Sequence, residues 1–375
     1  MSLRRVPLQC ILPPHIVSSL ARNGSDAQRQ AALDHLQIDH TVRSARLNQS
    51  LMRVAARPRR VTGGALATPS AQRSIFDSQN SETEPPTGTL VRSEGQPPTS
   101  DVAVDEAYDG LGATFDFFLA AYDRNSIDDE GLPLKAYVHY GRDYDNAFWD
   151  GSEMVFGDGD GELFNRFTIA LDVIGHELAH GVTEDEAGLV YSNQSGALNE
   201  SVSDVFGALV KQYARGQSAA DADWLIGEGL FTANVQGRAL RDMANPGTAY
   251  DDDVLGKDPQ PAHMDDFVQT NQDNGGVHIN SGIPNRAFYL AATALGGNAW
   301  EGAGQVWYDT LRDPRLRATA RFTSFAKLTV RNAQIALGTD GATAVADAWA
   351  GVGVEVGVTA KARSSVASGP WSRPG

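Results

Sequence analysis

Three ionisable side chains interrupt an apolar helical run at His176-Glu177-Leu178-Ala179-His180. Histidines four apart lie one turn apart on the same helix face, where two neutral imidazoles can share one metal ion. A catalytic site of this kind needs three protein ligands with a fourth position open to water, so the helix has to face an element that carries the rest of the site. Glu177, between the histidines, stands where a base could take that water's proton.

A second helical run, GALNESVSD over 196–204, places Glu200 and Asp204 four apart. One such carboxylate can bind metal while the other orients a ligand histidine. The zinc pattern with a third histidine six residues after the second is absent, since position 186 is Glu186 and position 183 is Thr183, so a glutamate has to complete the site. Further on, a glycine pair precedes His278, with Asp273 five residues upstream. That spacing can position an imidazole donor, although taken alone His278 reads as a structural histidine.

With 375 residues, 41% hydrophobic and 21% charged, the chain has the length for two domains plus smaller attachments and the composition of a globular protein. A formal net charge of -16 argues against nucleic acid, whose phosphates need clustered Lys and Arg. Residues 1–60 carry ten Arg and three Asp, a net of +7, which leaves -23 on the remainder. A basic head on an acidic body favours mutual attraction. Cys10, the single cysteine, has no intramolecular disulfide partner. Pro7 and the Pro13-Pro14 pair break the opening apolar run, so no signal peptide is read there. No run reaches the length of a membrane span, and no membrane association is expected.

Residues 16–52 read as two amphipathic helices broken near Gly24, with Ser25 and Asp26 as candidate caps, and Arg53–Thr68 reads as an exposed linker. Short β-type runs within 72–94 and 133–163 suggest hairpins of an antiparallel sheet. Between them lies a helix capped by Ser100 or Asp101, and from Phe164 the pattern becomes mostly helical. The expected class is α+β.

The motifs HELAHGVT, GALNESVSD, NAFWDGSEMVFGDGDG and DNGGVHINSGIPNRAFY, in this order, resemble the thermolysin-like neutral metallopeptidases from about residue 72 to 356. CILPPHI in the basic head, with LVRSEGQPP and DWLIGEGLF, resembles the members made with a short propeptide. The resemblance implies a two-domain fold, with an antiparallel-sheet-rich N-terminal domain over 72–185 and a mainly helical C-terminal domain over 186–358. The zinc site would lie in the cleft between them. A propeptide over 1–55, a linker over 56–71 and a disordered tail over 359–375 complete the expected organisation.

Carried over by position, His176, His180 and Glu200 would bind one catalytic Zn²⁺, and Glu177 would be the general base. His278 and Tyr191 would stabilise the oxyanion, Asp204 and Asp273 would orient His176 and His278, and Arg241 would hold a substrate carbonyl. Asn146 and Ala147 would pair with an extended peptide, while Phe164, Phe167, Val173 and Leu240 would line the pocket after the cut bond. The implied activity is that of a zinc metalloendopeptidase cutting on the amino side of large hydrophobic residues. It would be made as an autoinhibited precursor, with peptide or protein substrates and its own propeptide as partners. A secreted monomer is expected by resemblance, with cytoplasmic residence left open by the unread signal. A zinc aminopeptidase would need acidic groups that capture a free amine, and a silent binding protein would lack ligands or base.

The sequence departs from the family at one cluster. Asp172, Asp221, Asp223 and Glu228 match parts of a structural calcium site, whereas Lys211 and Leu225 do not. An ammonium has no lone pair for a metal and can replace it as countercharge, so loss of the double-calcium site is expected. GDGDGE at 157–162 ends its twelve-residue calcium frame on Ile169 and reads as a Gly-rich hairpin. Cys10 reads as a small buried hydrophobe rather than as a zinc-binding thiolate.

Overall fold

Pro14 opens the first helix of the N-terminal segment. The computed structural model describes residues 9–33, 69–83 and 86–356. The expected linker up to residue 68, the C-terminal tail and the later part of the second N-terminal helix fall outside them. After the short strand β1 (Gln9–Cys10), helix α1 spans Pro14–Asn23. It starts earlier than its apolar spacing suggests because a proline fits the first helical turn, where its missing N–H has no partner to lose. α1 buries Ile16, Val17 and Leu20. The helix stops at Gly24, and Ser25 and Gln28 then exchange hydrogen bonds of 2.8 and 3.3 Å as a capping box for a second helical stretch over 26–33.

The larger sheet adds β2 (Arg73–Asp77), β3 (Thr89–Ser93), β4 (Leu134–Val138), β5 (Ala147–Trp149) and β6 (Met154–Phe156), in the order β1-β5-β6-β4-β2-β3. It is mixed rather than antiparallel throughout: β4 runs parallel to both β2 and β6. For β2 and β4 the reason lies in the connection, because α2 (Val102–Tyr122) lies between β3 and β4, and a crossover of that length can return a strand in the parallel sense; between β4 and β6 the chain first reverses through β5, which is antiparallel to β6. Asp101 starts α2, its carboxylate accepting from the Ala103 and Val104 N–H groups.

Helices α3 (Leu171–Glu186) and α4 (Asn193–Arg215) follow, both almost wholly buried. They touch backbone to backbone at Gly175 and Gly207, where a side-chain carbon on Gly207 would sit 2.3 Å from the Asp172 carbonyl. That closeness lets short side chains from the two helices converge. Then come α5 (Asp273–Asn280), α6 (Gly282–Leu295), α7 (Ala303–Leu311) and α8 (Phe322–Ala350), the last broken at Gly338, where φ is 74°. Trp307 and Trp349 stack at 6.0 Å between α7 and α8. Arg124, fully buried after α2, bonds Asp185 at 2.7 Å and Glu186 at the end of α3, and its donation to the Tyr308 hydroxyl of α7 at 3.3 Å ties this part of the chain to the helical half. The expected Gly-rich hairpin at 157–162 is instead an irregular loop, because the Asp160 side chain satisfies the N–H groups of Glu162, Leu163 and Phe164 that a hairpin would have paired.

Candidate active site

α3 and α4 bring His176, His180 and Glu200 together, with one ligating atom from each lying within 4.8 Å of the others. The outer nitrogen of each imidazole is occupied. His176 Nδ1 lies 2.7 Å from Asp204 Oδ1, and a carboxylate only accepts, so the proton sits on Nδ1 and the lone pair on Nε2. Asn199 Nδ2 donates to the Leu189 carbonyl, which leaves Oδ1 as acceptor for His180 Nδ1 at 2.8 Å. Two Nε2 lone pairs therefore face each other at 3.0 Å, with Glu200 oxygens 3.6 Å from each. Such an arrangement is repulsive unless a cation is shared. Charge points the same way: the buried acids Glu177, Glu200 and Asp204 gather against the guanidinium of Arg241, so a buried dication would even the balance. Nitrogen and oxygen donors in this number suit Zn²⁺ with a position left open.

The remaining site groups surround this centre. Glu177 Oε2 accepts from the Trp149 backbone N–H at 3.1 Å, which ties the carboxylate to β5. The Tyr191 hydroxyl contacts Glu200 and lies 3.2 Å from His278 Nε2. His278 is turned by Asp273, which takes its Nδ1 at 2.7 Å and its backbone N–H at 2.9 Å. The glycine pair explains how: Asp273, Asn274, Gly275 and Gly276 all have positive φ, and this left-handed turn folds the aspartate back over the histidine. A side-chain carbon on Gly275 would come 2.5 Å from Asn193.

Arg241 binds Asp204 twice at 2.8 Å, and its remaining Nη1 donates to the Ile11 carbonyl at 3.2 Å. Burial opposes ionisation of Asp204, but the Arg241 charge overrules it and holds the carboxyl well below the usual range. β1 lies antiparallel to β5, with Ile11 N–H donating to the Ala147 carbonyl at 3.1 Å and Leu12 N–H to Asn146 Oδ1 at 3.1 Å. Phe164, Phe167, Val173 and Leu240 are buried in the main core, as is Ile11. Cys10 turns to the other side of β1 and packs among Tyr137, Tyr140, Tyr144 and Phe148, the surroundings of a small hydrophobe.

Three orienting groups were not singled out from the sequence. Asn199 fixes His180, Asn285 donates to Asp204 at 2.8 Å, and Gln260 donates to the His278 carbonyl at 2.8 Å. Asn199 had a signal, lying next to Glu200 in GALNESVSD, and Asn285 lies within DNGGVHINSGIPNRAFY, whereas Gln260 had none.

The models of two domains match the chain: "Thermolysin metallopeptidase, catalytic domain" over 62–184 and "Thermolysin metallopeptidase, alpha-helical domain" over 187–354. An extracellular metalloprotease of Pectobacterium carotovorum subsp. carotovorum is 55% identical over 93% of this chain and 97% of its own length. Protease PrtS of Photorhabdus sp. is 48% identical over 92% of each. The solved precursor of protealysin, a metalloproteinase from Serratia proteamaculans, is 54% identical, with a TM-score of 0.81 over 92% of this chain and 99% of that one. With both domain models matched in order, relatives aligned over nearly the whole chain and a His176, His180 and Glu200 group that could hold a metal ion, the chain belongs to the thermolysin metallopeptidases, close to protealysin, and is a metalloendopeptidase.

Proposed function

We propose that the chain is an autoinhibited zinc endopeptidase precursor that cuts on the amino side of large apolar residues. The observation that carries this reading is the backbone pairing of Ile11 and Leu12 with Ala147, Asn146 and Arg241. An extended peptide adds to a strand edge through such bonds, so the N-terminal segment lies as a substrate would. Ile11, held by Arg241, then takes the position following a cut bond, and its aliphatic side chain supports a preference for large apolar residues there. Phe164, Phe167, Val173 and Leu240 are the residues assigned to that pocket.

His176, His180 and Glu200 hold the metal in this reading, which when bound polarises the scissile carbonyl and acidifies a water. Glu177, steadied by the Trp149 N–H, takes the attacking water's proton and passes it to the leaving amine. Tyr191 and His278 donate to the oxygen that gains charge, with Asp273 keeping the imidazole turned toward it. Asn146 and Ala147 align the peptide, and Arg241 fixes its carbonyl. Asp204 holds both Arg241 and His176, so substrate binding and metal binding share one anchor.

Calcium is absent from its usual cluster in this proposal. Lys211 Nζ lies 2.8 Å from Asp172, 2.8 Å from Asp223 and 2.7 Å from the Leu225 carbonyl. An ammonium with three acceptors leaves no coordination role for a dication there. Secretion is proposed from the extracellular relatives, and a monomer is the expected state. Among the described residues, no helix is long and apolar enough to cross a membrane.

Glu177→Ala tests the mechanism. It should retain zinc yet neither cleave an amino-blocked peptide nor shorten its own chain; full activity in this variant would sink the assignment.

A further inference from the structure

His139, directly after β4, has a φ of 52°, in the left-handed region that non-glycine residues seldom adopt. Its ring bridges two acids, with Nδ1 2.8 Å from Asp158 and Nε2 2.9 Å from Asp101. Carboxylates accept only, so both contacts are satisfied together only when both ring nitrogens carry protons. A neutral imidazole would leave a lone pair facing one of the two acids. Asp101 is anchored as the cap of α2, while Asp158 belongs to the Gly-rich loop.

That loop supports the peptide-binding edge. Gly157 N–H donates to the Asn146 carbonyl at 2.9 Å, Gly159 N–H to the Tyr144 carbonyl at 3.2 Å, and Phe167 N–H to the Gly157 carbonyl at 3.0 Å. Asp160 N–H donates to Asp145 at 2.7 Å. The charged groups facing the clamp are the two aspartates and, beside Asp158, Arg166, which is itself paired with Glu106 of α2 at 2.5 Å.

We propose that His139, as an imidazolium held between Asp101 and Asp158, is a positioning residue for peptide binding, fixing the loop on which Asn146 and Phe167 rest. The inference builds on the reading of Asn146 and Phe167 as substrate-binding groups. The hydrogen bond to Asp158, which outweighs the opposing effect of burial, and the one to Asp101 raise the imidazole pKa to about 9. The clamp is therefore closed at neutral pH and opens in alkali.

The test uses the full chain, left to process itself, with KM and kcat for a blocked peptide measured across neutral and alkaline pH and the His139 ring proton followed by NMR. KM should rise as the ring titrates, with kcat changing less. His139→Gln should show a KM about tenfold higher already at neutral pH, with no alkaline inflection. Asp158→Asn, which keeps a hydrogen-bonding group but removes one charge, should move both the inflection and the ring titration down toward ordinary histidine. An unmoved inflection in Asp158→Asn would overturn the proposal. Asn146→Ala, measured alongside, separates the two possible failures. An unchanged KM there sinks the assignment of Asn146, whereas a raised KM there with an unchanged KM in His139→Gln sinks the clamp.

Discussion

At the scale of single residues, the outer nitrogens of His176 and His180, the proposed ligand histidines, would decide how well the centre holds metal. Asp204 is a buried carboxylate already committed to Arg241, while Asn199 is neutral and held by the Leu189 carbonyl. The two imidazoles are therefore oriented by different chemistry. Groups of this kind fix the tautomer and ring orientation, and their loss typically weakens metal binding about 10–100-fold. Asn199→Ala should fall in that range when zinc is competed against a chelator of known affinity. Unchanged affinity would mean that helix packing alone orients His180. The proton positions follow from acceptor-only partners, and the geometry fits the division of roles that the family resemblance implied, with Asp204 on the Nδ1 of His176 and Glu200 facing both Nε2 atoms.

Among the elements, two ionic contacts bind neighbouring segments, and each gives a stability test. Lys211 on α4 joins Asp172 in the first turn of α3 to Asp223 before the short strand at Leu225–Ile226. Burial opposes its charge, but Asp172 and Asp223 outweigh that effect and raise its pKa, so the ammonium persists. Lys211→Met should leave Asp172 buried without its countercharge and cost about 3–5 kcal/mol in denaturant unfolding. The parent chain's melting temperature should not respond to a chelator selective for calcium over zinc; a strong drop would restore the calcium site. The second contact is His139, which joins α2 to the Gly-rich loop. Its folded pKa is raised to about 9, above an ordinary value of about 6.5. The stabilisation is therefore complete below about pH 6.5 and lost as pH climbs through about 9. The difference in melting temperature between the parent and His139→Gln should shrink over that window, and a difference that grew with pH would contradict the sign.

For the whole molecule, the N-terminal segment completes the sheet that the catalytic body would offer to a substrate, since β1 is the edge strand beside β5. α1 then leads away over the loop around Tyr250, which His15 contacts at 2.8 Å. Ile11→Asp would bury a carboxylate where an aliphatic side chain now packs, and the segment should leave the cleft. The full-length variant is expected to cleave a blocked peptide at once, before any shortening on a gel; continued latency would show that Ile11 is not the contact that blocks the site. How much of this could be read in advance follows the range of the forces involved. The i and i+4 histidines and the helical runs on either side of Gly338 are local, each written within a few residues, so the sequence alone determined them; at the helix starts it left Ser100 or Asp101 and Ser25 or Asp26 open, and the structure chose Asp101 and Ser25. Motif order, through the family resemblance, likewise pointed to the proposed ligands and the flanking acids. Strand order was different, because a strand's pattern shows that it pairs but not with which neighbour; the crossover through α2 made β2 and β4 parallel, and the return through β5 did the same for β4 and β6. The bridge from His139 to Asp101 spans 38 residues, the bond from Asn285 to Asp204 spans 81, and the hold of Arg241 on Ile11 spans 230. Only the tertiary structure decided these, since no short-range preference of the chain distinguishes a buried polar group that will find a distant partner from one that will not.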